Sequence, residues 1–534
     1  MPRQVVRRPR RRLQERQVAD DCKNGKQPRW ARPGSDVNQR GIGRESGPSL
    51  RFAAAHAAWL FFRHPLALGR ISGIVVAASL WEGKMNNLSR IIGILGIGVL
   101  GLGPASSAWA AGYDTPMLYS ASHMGMGGTA ISSVDDPSAV FHNPAGLSRT
   151  GKGMLHLDVS PLGGQIQGSP DVKALSVKSN FATSPFFMLS GAYQLIDRVH
   201  IGFAAYLLGG AAGKYEYNID KNVKAGVYRT SVVDSASLGF IEFAPALSVR
   251  IIDGLTFGAA WRPLYTTFER ERINTNDALG TVGTPDPQPF ITMKMKGMEW
   301  TGFRVGLQYE IAKLKLGVVY RNQVRSNVGG SVYYGGGDLL NAKYAFILPS
   351  KLGIGAQVQV LERLRLAVDF EYMFNSENTY VYLAGDQVDV NTKELKPKTI
   401  PNSSYWSDSF ALRVGAGFKV SEPLEVRAGY VYDARAANPM YPTAFGSPPG
   451  PTNIATAGVG YTFSPAFDMS FATAYRHGAA STSEVDTTCP FCGKTGDYAI
   501  TLVGAYIDAR YRFGLGGATG TGVDLPAAAT PVTP

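Results

Sequence analysis

The sequence predicts an all-β protein, a transmembrane antiparallel β-barrel of about 14 strands with an N-terminal hatch segment plugging its lumen. Composition is the first of three observations behind this. Glycine makes up 62 of 534 residues, aromatics 11% and charged residues only 18%, which suits a chain of many turns and many half-buried strands. The second is period-2 alternation after residue 150. In the last such segment Val503, Ala505, Ile507, Ala509, Tyr511 and Phe513 share one face, while Tyr506, Asp508, Arg510 and Arg512 share the other. The third is a strict alternation of short and long connections, the pattern of short periplasmic turns and longer extracellular loops.

Taken in chain order, residues 1–84 form a basic leader. They hold 17 Lys and Arg against 6 Asp and Glu, which accounts for +11 of the net charge of +12. The remainder is near neutral, so the high pI carries no nucleic-acid signal. Met85 to Ala110 reads as a signal peptide, with Arg90, the apolar run Ile91 to Leu102 and the small-x-small site Ala108-Trp109-Ala110. Cleavage there leaves Ala111 first. Trp81 to Lys84 can be encoded by a purine-rich ribosome-binding stretch, so Met85 is the expected start and the leader an artefact. A genuine basic, disordered extension is the alternative.

Residues 111–150 do not alternate and are the expected hatch, and residues 151–513 form the expected barrel. Tight links fall at 196–198, 252–254, 312–313, 362–363, 421–423 and 464–465. Long polar connections are expected at 209–233, 273–290, 329–343, 376–405, 433–452 and 477–497. One opening strand, six hairpins and a closing strand give the count of about 14, with both barrel ends at the same face. A soluble sandwich has no reason to sort its loops by length. Aromatic pairs near strand ends, Phe186/Phe187, Tyr430/Tyr432 and Tyr511/Phe513, fit interfacial girdles. Gly514 to Pro534, rich in Gly, Ala, Thr and Pro, is an expected disordered periplasmic tail.

The run Asp135-Asp136-Pro137-Ser138-Ala139-Val140-Phe141-His142-Asn143-Pro144-Ala145-Gly146-Leu147 resembles the hatch of the FadL-like outer-membrane transporters, in which Asn-Pro-Ala follows an acidic pair. Tyr309-Glu310, Tyr320 to Val324, Leu348-Pro349, Asp433 and Gly458 to Phe463 extend the resemblance over residues 111–513. It implies a monomer in the Gram-negative outer membrane, among lipid and lipopolysaccharide, placed there by the barrel assembly machinery. Its substrates would be hydrophobic small molecules, long-chain fatty acids or aromatic hydrocarbons, moved by passive, hatch-gated diffusion with lateral exit beside a kinked strand. Asp135, Asp136, Asn143, Pro144 and Ala145 are then the gating residues. Leu340, Phe346, Met440 and Phe445 are candidate ligand contacts near the long loops, as are Leu339, Tyr344 and Tyr441. Arg270 and Arg272 match a basic position in the fatty-acid branch and could meet a carboxylate. Gly209, Gly210 and Gly213 could kink the third strand.

Other signals point away from catalysis and cofactors. Gly96 to Gly101 matches G-x-G-x-x-G inside the signal peptide, without a βαβ setting. No G-x-S-x-G elbow, ATP motif or H-E-x-x-H metal spacing occurs, so neither an enzyme nor a bound cofactor or metal is expected. Cys489 and Cys492 lie in the last long connection and are expected to form a local disulfide. A nonspecific porin or an adhesin is the alternative function, although neither needs a hatch.

Overall fold

The computed structural model describes residues 117–172, 174–223, 226–277, 287–389 and 392–514. The basic leader, signal peptide and tail beyond residue 514 lie outside the described residues, as do residues 111–116.

The fourteen barrel strands follow one another in chain order. The first four are β1 Gly153–Gly168, β2 Ala182–Ile196, β3 Val199–Val223 and β4 Gly226–Ile252. The next six each run in two stretches: β5 Leu255–Trp261 and Leu264–Asp277, β6 Pro287–Glu299 and Phe303–Ile311, and β7 Leu314–Arg321 and Val324–Tyr334. They continue as β8 Gly337–Leu348 and Lys351–Leu361, β9 Leu364–Met373 and Tyr380–Val388, and β10 Leu395–Ser403 and Ser409–Lys419. The last four are β11 Leu424–Asp433, β12 Thr452–Ser464, β13 Phe467–Thr482 and β14 Gly496–Phe513. Every neighbour pair is antiparallel, and β1 closes on β14 from Gly153↔Phe513 to Gln167↔Ala499. A closed sheet leaves no edge, so the main chain satisfies itself in a solvent that offers no hydrogen bonds.

The side chains are sorted inside out relative to a soluble fold. On β1, Leu155, Leu157 and Val159 are 54%, 49% and 47% exposed, whereas His156, Asp158 and Ser160 are at most 1% exposed. The same holds on β14, where Val503, Ile507 and Tyr511 face outward and Tyr506 and Asp508 inward. An apolar belt with a polar interior is stable only against lipid.

All six short links join strands where the sequence places them. Several of the long connections are shorter than expected, because they carry strand beyond the belt, whereas 433–452 keeps its expected bounds. β3 and β4 pair as far as Val223↔Gly226, deep into the expected loop 209–233. Likewise β7 and β8 pair up to Tyr334↔Gly337, and 376–405 contains strand pairing from Tyr380↔Ser403 onward. A strand outside the bilayer can be polar on both faces, which erases the alternation that marks it within. Pro349 interrupts β8 after Leu348, because proline has no N–H to give the ladder. Phe186 does not belong to a lipid-facing girdle. Neighbouring strand residues point to opposite faces, so Phe187 faces out while Phe186 is buried in the lumen 6.3 Å from Tyr119.

Leu157→Arg should therefore destabilise the folded barrel by about 2–4 kcal/mol if the site lies near the bilayer midplane. Denaturant unfolding from lipid vesicles reads this, and a change near zero would contradict a lipid-facing belt.

Candidate functional site

Apart from Asp135 and Arg149, residues 117–150 lie buried in the lumen, with two short helices, Ala121–Met124 and Ala139–His142, and a 3-10 turn, Pro144–Arg149. Helices this short leave most main-chain groups without internal partners, and the barrel wall supplies them. Ala121 N–H donates to Asp158 at 3.1 Å and Ser122 N–H to Asp508 at 2.9 Å. Ala130 and Ile131 N–H both donate to Asp369, at 2.7 and 3.0 Å.

Asn143 acts as a peg. Its amide nitrogen donates to Ile131 O at 2.8 Å within the segment, and to Leu307 O at 3.0 Å and Val318 O at 3.3 Å on β6 and β7. Its oxygen accepts from Ala145 N–H at 3.2 Å, capping the 3-10 turn. Glycines on the wall allow the approach: a Cβ on Gly306 would stand 2.1 Å from Asn143 Oδ1, and one on Gly258 2.2 Å from the Pro144 carbonyl carbon. The acidic pair divides. Asp135 is exposed, whereas Asp136 is buried and contacts His123 at 3.4 Å and Arg510 at 3.1 Å. Burial opposes its charge, but the His123 hydrogen bond and the charges of His123, His156 and Arg510 outweigh burial and hold its carboxyl well below the usual range. Burial pushes His142 well below its usual value, with the nearby His123 charge acting in the same sense.

Above the segment, toward the long connections, lies a cavity of about 560 Å³. Phe186, Leu238, Phe268, Met293, Tyr344 and Phe346 give it an apolar wall, and Tyr441, Phe445 and Phe491 from the long loops cover it. Cys489 and Cys492 are joined by a disulfide that frames Phe491. Two arginines reach the lining, and each already has a buried carboxylate. Arg270 binds Asp234 at 2.9 Å with its guanidinium 4.3 Å over Phe445, and Arg476 meets Asp433 at 3.5 Å.

One side of the cavity meets a parting in the wall. β2 and β3 pair only from Ile196↔Val199 to Met188↔Tyr206. There β3 bulges at Leu208, between Leu207 and Gly209. The strands are joined again higher up, where Asn180 N–H donates to Lys214 O at 2.7 Å. Between these closures Thr183 to Phe187 on one side and Leu207, Gly209, Gly210 and Ala212 on the other line the cavity. A Cβ on Gly210 would stand 2.2 Å from Leu238 O, so only glycine lets β3 lie this close to β4 at the bend. At the lower corner, Tyr119 of the luminal segment donates its hydroxyl to Leu207 O at 2.8 Å.

The structure thus brings together Arg270, Phe346, Phe445, Gly209 and Gly210, but not all the expected residues. Leu340 and Met440 are 48% and 39% exposed and do not line the cavity. On β8 it is Leu339 that turns inward, which sends its neighbour out. Arg272 does not reach the lining either and binds Asp171 at 2.9 Å. Gly213 also lies off the lining; a Cβ there would meet Ile166 at 2.7 Å. The buried network of Tyr206, Glu242, Arg262 and Arg304 between cavity and luminal segment was not foreseen. Arg262 binds Glu242 at 2.7 Å, and Arg304 donates to Val140 O at 2.7 Å. Its only sequence signal is an acid, two arginines and a tyrosine at inward strand positions.

A closed barrel with an apolar belt, an occupied lumen and an apolar chamber defines an outer-membrane transport barrel of Gram-negative bacteria. The chain belongs to the outer membrane protein transport protein family (OMPP1/FadL/TodX), whose model matches residues 102–513. A FadL homologue of Pseudomonas aeruginosa has a similar fold, with a TM-score of 0.58 at 16% identity, covering 76% of this chain and 100% of that one. The toluene transporter TodX of Pseudomonas putida gives 0.55 at 19% identity, covering 75% and 99%. The toluene transporter TbuX of Ralstonia pickettii gives 0.53 at 16%, also covering 75% and 99%. An outer membrane protein of Neisseria meningitidis serogroup B is 21% identical over 371 residues, 62% of this chain and 78% of its own length.

Asn143→Ala removes the three hydrogen bonds its amide donates and the cap its oxygen provides, and should cost about 1–3 kcal/mol of docking. Amide exchange of residues 129–134 should accelerate while that of the strands stays unchanged. Acid should also loosen the segment. An unfolded histidine takes up a proton near pH 6.5 that buried His142 refuses. Its stabilisation is therefore complete above that pH and declines as pH falls toward the lower folded value, with Asp136 adding a second loss below about pH 4. Protection factors, which remove the intrinsic pH dependence of exchange, should fall from pH 7 to pH 5 in the wild type and much less in His142→Phe.

Proposed function

We propose that the protein is a passive route across the outer membrane for neutral hydrophobic small molecules. They enter between the extracellular loops, bind in the apolar cavity and leave sideways between β2 and β3 when residues 117–150 shift. In this reading those residues are the hatch, with Asn143-Pro144-Ala145 and Asp136 as its anchors. The chain is exported through a cleaved signal peptide ending at Ala110, inserted by the barrel assembly machinery, and works as a monomer.

The observation carrying the substrate class is the charge state of the cavity. Arg270 and Arg476 both face carboxylates that are themselves fully buried, Asp234 and Asp433. A fatty-acid headgroup would have to break one of these pairs, and removing one partner of a buried pair costs about 3–5 kcal/mol. A neutral hydrocarbon needs only the apolar wall. TodX and TbuX, toluene transporters of similar fold, agree with this choice. Lateral release is supported by the parting at Leu207, which opens the cavity toward lipid rather than down the filled lumen.

Cells expressing Met85–Pro534 should take up radiolabelled toluene faster than vector controls, and Arg270→Ala should leave this within about twofold. Replacing Gly209 and Gly210 together with valine should lower it by about tenfold. Oleate uptake above the control that falls with Arg270→Ala would overturn the neutral-ligand reading. Failure of both solutes, with the barrel folded in the outer membrane, would overturn transport of this class.

A further inference from the structure

The seam where β1 meets β14 carries an arrangement that hydrophobic transport does not use. Asp158 and Asp508 stand directly opposite each other, paired in register and both pointing into the lumen. Like charges in this relation repel. His156 lies two residues before Asp158 on the same face. A ring nitrogen of His156 and one carboxylate oxygen from each aspartate all lie within 4.8 Å of one another.

Two atoms of this group lack partners although fully enclosed. His156 Nδ1 is taken by Ser190 Oγ at 3.0 Å, and its Nε2 is buried with no hydrogen bond. Asp508 Oδ2 accepts Ser122 N–H, and its Oδ1 is likewise buried and unmet. Unmet buried polar atoms are costly, and both belong to this one cluster. The surrounding charge is also unbalanced. Arg510 bridges Asp136 and Asp468, and Arg512 binds Asp468 as well. The linked group holds four buried aspartates, Asp136, Asp158, Asp468 and Asp508, against two arginines.

We propose that His156, Asp158 and Asp508 bind one divalent first-row transition cation, of the zinc type, at the seam beneath the luminal segment. One imidazole and two carboxylates form the nitrogen and oxygen donor set such ions take, with water completing the shell. Ligands of tetrahedral zinc stand about 3.4 Å apart, so the three groups must close inward by a side-chain rotation. The Ser190 hydroxyl occupies Nδ1 and leaves Nε2 as the nitrogen for the metal, the usual outer-shell arrangement for a metal-bound histidine. A dication offsets the repulsion between the two facing carboxylates. It also fixes the two aspartates that receive Ala121 and Ser122.

The test uses the untagged, folded chain in detergent, stripped with chelator and dialysed against Zn2+ alone. Metal analysis should give one equivalent, bound at least about tenfold more weakly by His156→Ala and by Asp508→Asn. Amide exchange at Ala121 and Ser122 should change on zinc addition, since both donate to the ligating carboxylates. If the variants do not fold, Co2+ added to the wild type should give a visible ligand-field band at one equivalent. Substoichiometric uptake, zinc affinity in both variants equal to that of the wild type, unchanged exchange at the two amides, or no cobalt band would each overturn the site. None of these outcomes depends on transport, so they stand apart from the uptake experiment.

Discussion

The molecule depends on main-chain amides of its N-terminal segment finding acceptors in the barrel wall. A segment that is neither long helix nor sheet can be buried only if something else takes its N–H groups. Asp158, Asp369 and Asp508 do this from three strands, and Asn143 reaches in the opposite direction, from the segment to the carbonyls of β6 and β7. That exchange explains why the lumen is lined with carboxylates. It also explains the glycines of the inner face, since Gly258 and Gly306 leave room for main chain to lie against main chain.

The fold was legible because a membrane barrel writes itself into sequence twice. The bilayer imposes alternation such as Leu155, Leu157 and Val159 against His156, Asp158 and Ser160, and the two membrane faces impose two classes of loop. Legibility fails where the bilayer ends. Beyond the belt β3 and β4 continue as a polar hairpin that resembles loop, and Pro349 breaks a strand that resembles two.

The candidate site was legible in part. Asn143 stands out because its chemistry is local: its oxygen caps the turn two residues on. Arg270 and Phe445 could be placed near the cavity, but not their partners. Asp234 lies 36 residues from Arg270, and nothing in the sequence states that strand register will put them together. The same limit hid the seam cluster. His156 and Asp158 are spaced for one face of a strand, but Asp508 joins them only through the pairing of the first strand with the last. Spacing rules built on helices, such as H-E-x-x-H, pass over such a set.

The pairing of β1 with β14 bears on the order of assembly. The two strands are separated by the whole barrel sequence, so they can meet only after the final strand has been delivered. Asp158 and Asp508 are brought opposite each other by that event, and each receives an amide from residues 121–122. The segment is also held by β6, β7 and β9, but its contact with Asp508 exists only once the last strand is in place, so closing the seam completes the set of acceptors on which the segment rests.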